Sequence, residues 1–503
     1  MDVSNILESV KLLKPEIAIS AGLILVLIFD LIFHKDKKFI PYVALLGLFA
    51  TGYFVIEQFG VSGFGFATKS TFKAFGMVTV DSFGTFFKLI ILIATVLIVF
   101  FSSFSSEVKK ITDRLGEYYV LMFGMVLGMF LMASASDFIL IYLSMELLSL
   151  SSYVLAGFTK LRDRDSEASL KYIIYGSVSS GLMLFGISLV YGLTGSTNLY
   201  IINSLLQGPQ INILTLAFAM ILIFAGMGFK ISAAPFHFWT PDVYEGAPIT
   251  ITAFLSVASK AAGFALLIRF IKTTFSAATL GDGHWMMNEI FDWKSILVII
   301  SILTMTLGNF SALWQNNLKR MLAYSSIAHA GYLLLGLVVF SNQGIIAILI
   351  YFFFYMLMNL GAFLVVMLIA NKIGTEEIDD YDGLGTTAPF LCISLAIFLI
   401  SLTGLPPTAG FIGKLYLFSA LIDAKMFVVA VIAVLNSVVS LYYYVRVLKH
   451  MFLVKPQIQP VVIKTGFAQT ALVLLLVVPV LFFGVYFGPI VELAKNCVVL
   501  LGF

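Results

Sequence analysis

Six ionisable residues sit within stretches that are otherwise apolar, and their types suit the carriage of protons. Glu146 lies in Ile-Tyr-Leu-Ser-Met-Glu-Leu-Leu-Ser-Leu, Lys230 in Gly-Phe-Lys-Ile-Ser, Lys260 in Ala-Ser-Lys-Ala-Ala and Lys414 in Ile-Gly-Lys-Leu. The charge state of a buried lysine depends on whether a carboxylate is near it. Lys230 facing Glu146 would therefore be a switchable pair, charged together or releasing a proton when separated. His329, in Ile-Ala-His-Ala-Gly, adds a ring that titrates near neutral pH. Lys171 lies near the start of its stretch and is a further candidate. Arg269 and Lys88 are expected to snorkel, since each lies towards an end of its stretch.

Prolines flank two of these lysines. Pro235 lacks an amide hydrogen and leaves the carbonyl of Ile231 without its helical partner, one residue from Lys230. Pro406 and Pro407 likewise free the carbonyls of Leu402 and Thr403, and Gly404, Gly410 and Gly413 let the chain open there. A hydrated pocket beside a lysine is the expected outcome at both breaks. His237, two residues past Pro235, is expected to satisfy freed backbone groups.

The composition says what surrounds these residues. Of 503 residues, 60% are hydrophobic, 11% are charged and 48 are Phe, with a mean hydropathy of +1.03. A soluble protein spends about 25% of its residues on charge. This composition excludes a water-soluble globule, a disordered chain, a collagen and a secreted disulfide scaffold, and it implies an all-α polytopic membrane protein. The net charge of +3 comes without a basic block of five, so nothing points to nucleic acid. Cys392 and Cys497 are too few for an iron–sulfur cluster or a structural zinc site. Neither a dinucleotide fingerprint nor a Walker lysine motif is present. Any redox cofactor must sit in another subunit. The N-terminus reads as a retained helix rather than a cleaved signal.

At roughly 20 apolar residues per crossing, the chain divides into about 14 spans. They lie near 15–34, 39–58, 81–104, 116–134, 136–158, 168–193, 211–240, 249–273, 294–313, 318–340, 343–371, 387–425, 426–453 and 466–488. An ionisable group at a helix centre costs roughly 3 kcal/mol on insertion scales, so Glu146, Lys230, Lys260 and Lys414 unpaired would cost on the order of 10 kcal/mol. Such groups need a purpose. Sixteen Lys and Arg residues, among them Lys35, Lys109, Lys160, Arg162, Lys319 and Arg320, fall in one set of alternate loops. Eight, among them Lys11, Lys73 and Lys272, fall in the other set with both termini. The richer set is expected in the cytoplasm and both termini outside.

Two stretches resemble one another. Ser151-Ser152-Tyr153-Val154-Leu155-Ala156-Gly157-Phe158 aligns with Ser325-Ser326-Ile327-Ala328-His329-Ala330-Gly331-Tyr332, Tyr175 and Gly181 align with Tyr355 and Gly361, and Pro235 with Pro406-Pro407. The offset is five spans, an odd number, so the two copies would be inverted, each with one broken helix, as in transporters. The expected organisation is residues 1–110 (three N-terminal helices), 111–275 (first inverted repeat), 290–455 (second inverted repeat) and 456–503 (last helix and tail).

The run Gly228-Phe229-Lys230-Ile231-Ser232-Ala233-Ala234-Pro235-Phe236-His237-Phe238-Trp239-Thr240-Pro241-Asp242-Val243-Tyr244-Glu245-Gly246-Ala247-Pro248 closely resembles the signature of the antiporter-like membrane subunits of respiratory complex I. Trp239 to Tyr244 followed by Ala258-Ser259-Lys260 looks most like the subunit N branch (the mitochondrial subunit 2 counterpart). Lys414 after Leu405-Pro406-Pro407 speaks against subunit M, and the absence of a long lateral helix speaks against L. The resemblance covers roughly residues 115–450. It implies a proton channel in which Glu146 and Lys230 are the coupling pair, Lys260 the central carrier, His329 the bridge and Lys414 the second half-channel, with Lys171 a further polar-axis candidate.

It also implies that NADH, FMN, iron–sulfur clusters and quinone belong to other subunits. Partners would be a neighbouring antiporter-like subunit, small subunits towards the quinone module and a hydrophilic redox arm, in a bacterial inner membrane. The rival readings are an Mrp-type cation/proton antiporter subunit, a relative driven by ferredoxin or a deazaflavin, and a scaffold whose charges only hold helices. The orientation is testable on its own. A cysteine placed in the 159–167 loop should resist an impermeant thiol reagent in intact cells and react in inverted vesicles. Labelling from outside would reverse the assignment.

Overall fold

The computed structural model describes residues 3–33, 37–69, 74–159, 163–206, 208, 211–288, 290–456 and 462–500. Lys35, Lys73, Lys160 and Arg162 of the charge count lie outside the described residues. Among those described, 13 helices are long and apolar enough to cross a membrane. They fall on the expected spans with two main differences. The seventh helix ends at Ile231, and a short helix Trp239–Gly246 follows the break. The twelfth span is two pieces, Pro389–Thr403 and Ala409–Asp423, each 15 residues long. This division is why 13 helices rather than 14 are long enough individually.

Short features that periodicity did not announce complete the chain. Val3–Leu12 and Gly488–Asn496 are short terminal helices. Antiparallel pairs join Gly63–Gly65 to Val78–Val80, Thr68–Lys69 to Ala74–Phe75 and Ser276–Thr279 to Trp285–Met287.

Each helix N-terminus leaves four amides unpaired, and here short polar side chains cap several of them. Asp81 accepts from Gly84 N at 2.8 Å, Asp137 from Ile139 N at 2.9 Å and Asn317 from Arg320 N at 3.1 Å. Ile249–Phe275, Leu318–Val338 and Asn342–Ile373 form the interior, almost wholly buried by the others. Lys14–Ile32, Lys37–Glu57 and Phe467–Val485 line the outside, turning Leu31, Tyr42, Phe49 and Val485 outwards. Lipid chains are as apolar as Leu, so helix contact depends on close packing. Gly263 is one such contact, since a Cβ there would lie 2.7 Å from Ile231, against the end of the broken seventh helix. The Lys260 helix and the Lys230 helix meet at that glycine.

Two cations expected to snorkel do not. Arg269 is fully buried and grips Asp81 with two hydrogen bonds of 2.8 Å, while its Nε donates to Ala133 O at 3.1 Å. Lys88 is buried and paired with Glu16 at 2.6 Å, with Gln58 Oε1 accepting at 3.0 Å. Their partners come from other helices, so position within one span could not reveal them. Asp81→Asn keeps the helix cap but strands the guanidinium. Removing one partner of a buried pair costs about 3–5 kcal/mol, so the variant should lower the temperature at which the solubilised protein unfolds. Adding Arg269→Met should recover most of the loss.

Candidate functional site

Lys230, Lys260, His329 and Lys414 are all buried, none more than 4% exposed. Each is held differently. Lys230 ends the seventh helix, where Ser232 adopts φ 61°, a region few non-glycine residues use. Its amine lies about 6 Å from the ring centres of Tyr153, Tyr172 and Phe229, a range at which a ring face still attracts a cation. Trp239 stacks on Tyr172 at 4.4 Å and donates from Nε1 to the Phe229 carbonyl at 3.0 Å, so the short helix after the break closes this aromatic cage.

Among the described residues Glu146 and Lys230 form no ion pair. Glu146 Oε1 and Lys230 Nζ are both buried without a hydrogen-bond partner, and Glu146 is only half-buried rather than deep in the chain. The expected switchable pair is thus in its open form here. His237 also departs from expectation. Its Nδ1 is buried without a partner, and the break is closed instead by Thr304 Oγ1, which accepts from Ala234 N at 2.9 Å.

Lys260 follows a π-helical turn, Leu255–Ser259, within the eighth span. Such turns insert one residue and are frequent at functional sites. The amine donates to both the carbonyl and the hydroxyl of Ser326 at 2.7 Å. Beside Ser326, Ser325 hydrogen-bonds the Tyr444 hydroxyl. That hydroxyl lies 3.4 Å from His329 Nε2, and the other ring nitrogen, Nδ1, pairs with Tyr351 OH at 2.6 Å. The Tyr332 ring lies 6.0 Å from the His329 ring. Ser437 links Tyr332, at 3.2 Å, to Lys414 Nζ, at 3.0 Å. Hydroxyls both donate and accept, so the stretch from Lys260 through His329 to Lys414 is lined by groups able to pass a proton.

Lys414 follows the second break. Its amine donates to the Thr403 carbonyl at 2.8 Å, one of the two carbonyls expected to lose a helical partner, and sits 4.5 Å over the Tyr332 ring. Gly404, at φ 87°, makes the turn and leaves no room for a Cβ beside the lysine stem. A cavity of about 220 Å³ lies here, lined by Thr403, Gly404, Lys414 and Ser437 among apolar neighbours. The expected pocket is therefore present at the second break, with walls more apolar than polar.

Lys171, the further polar-axis candidate, lies apart from the buried lysines. It is 37% exposed and paired with Glu167 at 2.8 Å and Asp242 at 2.6 Å. Arg320 joins the same network, 2.7 Å from Asp242 and from Glu245. Burial opposes the ionised Asp242, but Lys171 and Arg320 outweigh it and hold the carboxyl below its ordinary range. The network ties Trp239–Gly246, and so the Lys230 cage, to the Leu318–Val338 helix.

Among the described residues no group of three or more His, Cys, Asp and Glu side chains is placed to hold a metal ion. The serine and tyrosine hydroxyls of the site carry little signal in the sequence. Ser325, Ser326, Tyr332 and Tyr355 stand out there only as repeat landmarks, and tyrosines at helical spacing usually pack.

The family described as NADH:quinone oxidoreductase/Mrp antiporter, transmembrane, matches residues 135–440. NADH-quinone oxidoreductase subunit N 2 of Chloroherpeton thalassium is 48% identical over 97% of this chain and 94% of its own. The subunit N of Chlorobium chlorochromatii is 45% identical over 98% and 95%. A chain of the respiratory complex I of Thermus thermophilus, solved with bound aureothin, superposes with a TM-score of 0.77 at 30% identity, covering 96% of this chain and 99% of that one. A chain of the Mrp complex of a Dietzia species reaches 0.80 at 20% identity, covering 98% and 97%, which shows the fold alone.

The rim network gives a test of its own. Arg320→Gln should loosen the segment 239–246 by roughly 1 kcal/mol, a value limited by its solvent exposure, and raise hydrogen exchange there about fivefold. Asp242, whose folded pKa is depressed, contributes stability above its unfolded pKa of about 4. That contribution should fade as pH falls through the lower folded value.

Proposed function

The chain belongs to the NADH:quinone oxidoreductase/Mrp antiporter transmembrane family, and we propose that it is the subunit N-type, proton-translocating membrane-arm component of a complex I-type enzyme. The observation that carries this reading is that buried hydroxyls and rings lie between Lys260, His329 and Lys414 inside a membrane-spanning fold, hydrogen-bonded from Lys260 to Ser326, from Ser325 through Tyr444 to His329, and from Tyr332 through Ser437 to Lys414. Among the described residues no carboxylate contacts Lys230, Lys260 or Lys414, which makes these buried lysines a poor scaffold and a usable set of proton sites.

In this reading Glu146 and Lys230 couple the site to the rest of the assembly. Movement that brings the open pair together favours the charged lysine, and separation favours its release. Lys260 Nζ receives the proton and holds it against Ser326. Rotation of the Ser325 and Tyr444 hydroxyls hands it to a ring nitrogen of His329, which can bind at one nitrogen while releasing from the other. Tyr332 and Ser437 then lead to Lys414 and its cavity. Two inverted units, 111–275 and 290–455, fit this path. Their reading is supported by the equal 32-residue lengths of Asp163–Thr194 and Asn342–Ile373 and by the interruptions of the seventh and twelfth spans.

NADH, FMN, iron–sulfur clusters and quinone would lie in other subunits. Cys392 and Cys497, both buried and only two in number, suit no cluster. The partners would be a neighbouring antiporter-like subunit, small subunits towards the quinone module and the redox arm. The site would be a bacterial inner membrane, both termini periplasmic. A different electron donor would leave this chain's role unchanged.

Lys260 decides between carriage and packing. Met keeps much of the stem without the proton site, and Arg keeps a charge that hardly leaves. Both variants should assemble, seen on a native gel, and both should lose most quinone-dependent proton uptake in vesicles. Near-normal pumping by Lys260→Arg would reject the carrier role. Lys230→Ala should lower pumping and electron transfer together, in part, while the complex still assembles.

A further inference from the structure

We propose that the cavity above the start of Ile249–Phe275 is the mouth through which protons are taken up, and that Glu376 is the carboxylate that loads them. This rests on the reading of the chain as a proton translocator. The cavity measures about 410 Å³ and is lined by Ser106, Glu107, Lys110, Ile249, Asn371 and Glu376, among others. It lies on the side of Lys109, Lys110, Lys319 and Lys372, the cation-rich side assigned to the cytoplasm.

Glu376 is fixed there by backbone. Gly374, at φ 84°, ends the Asn342–Ile373 helix, Leu318 N donates to the Glu376 carbonyl at 2.8 Å, and Asn317 Nδ2 donates to Glu377 Oε1 at 3.2 Å. The Glu376 side chain is only 11% exposed and meets the buried Lys319 amine at 3.7 Å, too far for a hydrogen bond. That amine is already committed to the Ala247 carbonyl at 3.0 Å. The second carboxylate of the cavity acts through the backbone instead. Glu107 Oε2 accepts from Ile249 N at 3.0 Å and anchors the start of the Lys260 segment. Glu107 is thus a positioning residue.

Below the cavity floor, Thr252, Ser256 and Lys260 recur every four residues along a segment of roughly 16 Å from Ile249. Ser256 Oγ accepts from Asn359 Nδ2 at 2.6 Å. Among the described residues Asn359 Oδ1 and Ser259 Oγ are buried without a protein partner, and polar atoms at this depth require water. Tyr118 OH and Thr250 Oγ1, 3.0 Å apart, extend the polar lining upward. In the proposed step the Glu376 carboxylate takes a proton from bulk water and becomes the acid. It passes that proton to water along the Thr252–Ser256 face, and the neutral Lys260 amine ends as the ammonium.

The test uses the assembled complex in vesicles and reads protons taken up per quinone reduced. Glu376→Gln should lower that ratio at least threefold, and Glu376→Asp should restore most of it. Lys260→Met, run in the same preparations, separates two failures. Normal pumping by Glu376→Gln beside a dead Lys260→Met overturns the mouth and spares the function. Normal pumping by both overturns the function as well. Should Glu376→Gln not assemble, Ser106→Cys gives the answer. A bulky impermeant maleimide added from the cytoplasmic face should block uptake, and unimpaired pumping by the fully labelled protein would overturn the proposal.

Discussion

A backbone carbonyl freed inside a hydrocarbon layer has no solvent to turn to, and much of this molecule answers that constraint. Water cannot reach a lipid-facing break, so each irregular segment must be closed by side chains brought from elsewhere. At the second break Lys414 covers the Thr403 carbonyl. At the first, Trp239 covers the Phe229 carbonyl and Thr304 receives the Ala234 amide. The residues that close the breaks are also those that shape the site. Opening a helix and sealing it against lipid are one act here.

The buried charges fall into two kinds. Arg269 with Asp81 and Lys88 with Glu16 are complete pairs, and each pair is tied further by hydrogen bonds to its surroundings. They orient the N-terminal helices and the far end of the eighth span. Among the described residues Lys230, Lys260 and Lys414 have no carboxylate in contact, and they are held by ring faces, carbonyls and hydroxyls. Such partners attract an ammonium without fixing it, because a carbonyl or a ring tolerates the neutral amine far better than a lone carboxylate would.

Much of this was legible in the residues. Hydropathy located the spans, the prolines located both breaks, and charges at membrane depth pointed to three of the four buried residues, Lys230, Lys260 and Lys414, while Glu146 is only half-buried. What stayed hidden depended on contacts between distant segments. The pairing of Arg269 with Asp81 could not be seen from Arg269's place in its own span, and snorkelling was the natural misreading. The three aromatic rings around Lys230 come from three different segments of the chain. Ser325, Tyr444 and Tyr332 are ordinary residues for a packed helix until the partner helices surround them with a histidine and two lysines. Lys171 was ambiguous by position, and only its ion partners in the structure settled where it belongs.

The π-helical turn at Leu255–Ser259 carries a consequence for how this chain can vary. One residue accommodated in such a turn rotates everything after it by about 100° relative to an unbroken α-helix. Lys260 is the first residue after that turn and Gly263 follows within one turn more. Loss of a single residue from 255–259 would swing the lysine off Ser326 and drive a side chain into the place where only Gly263 fits. The segment is therefore tolerant of many exchanges of small residue for small residue and intolerant of any change in length. Where Lys260 points is written in the count of residues before it, not only in their kind.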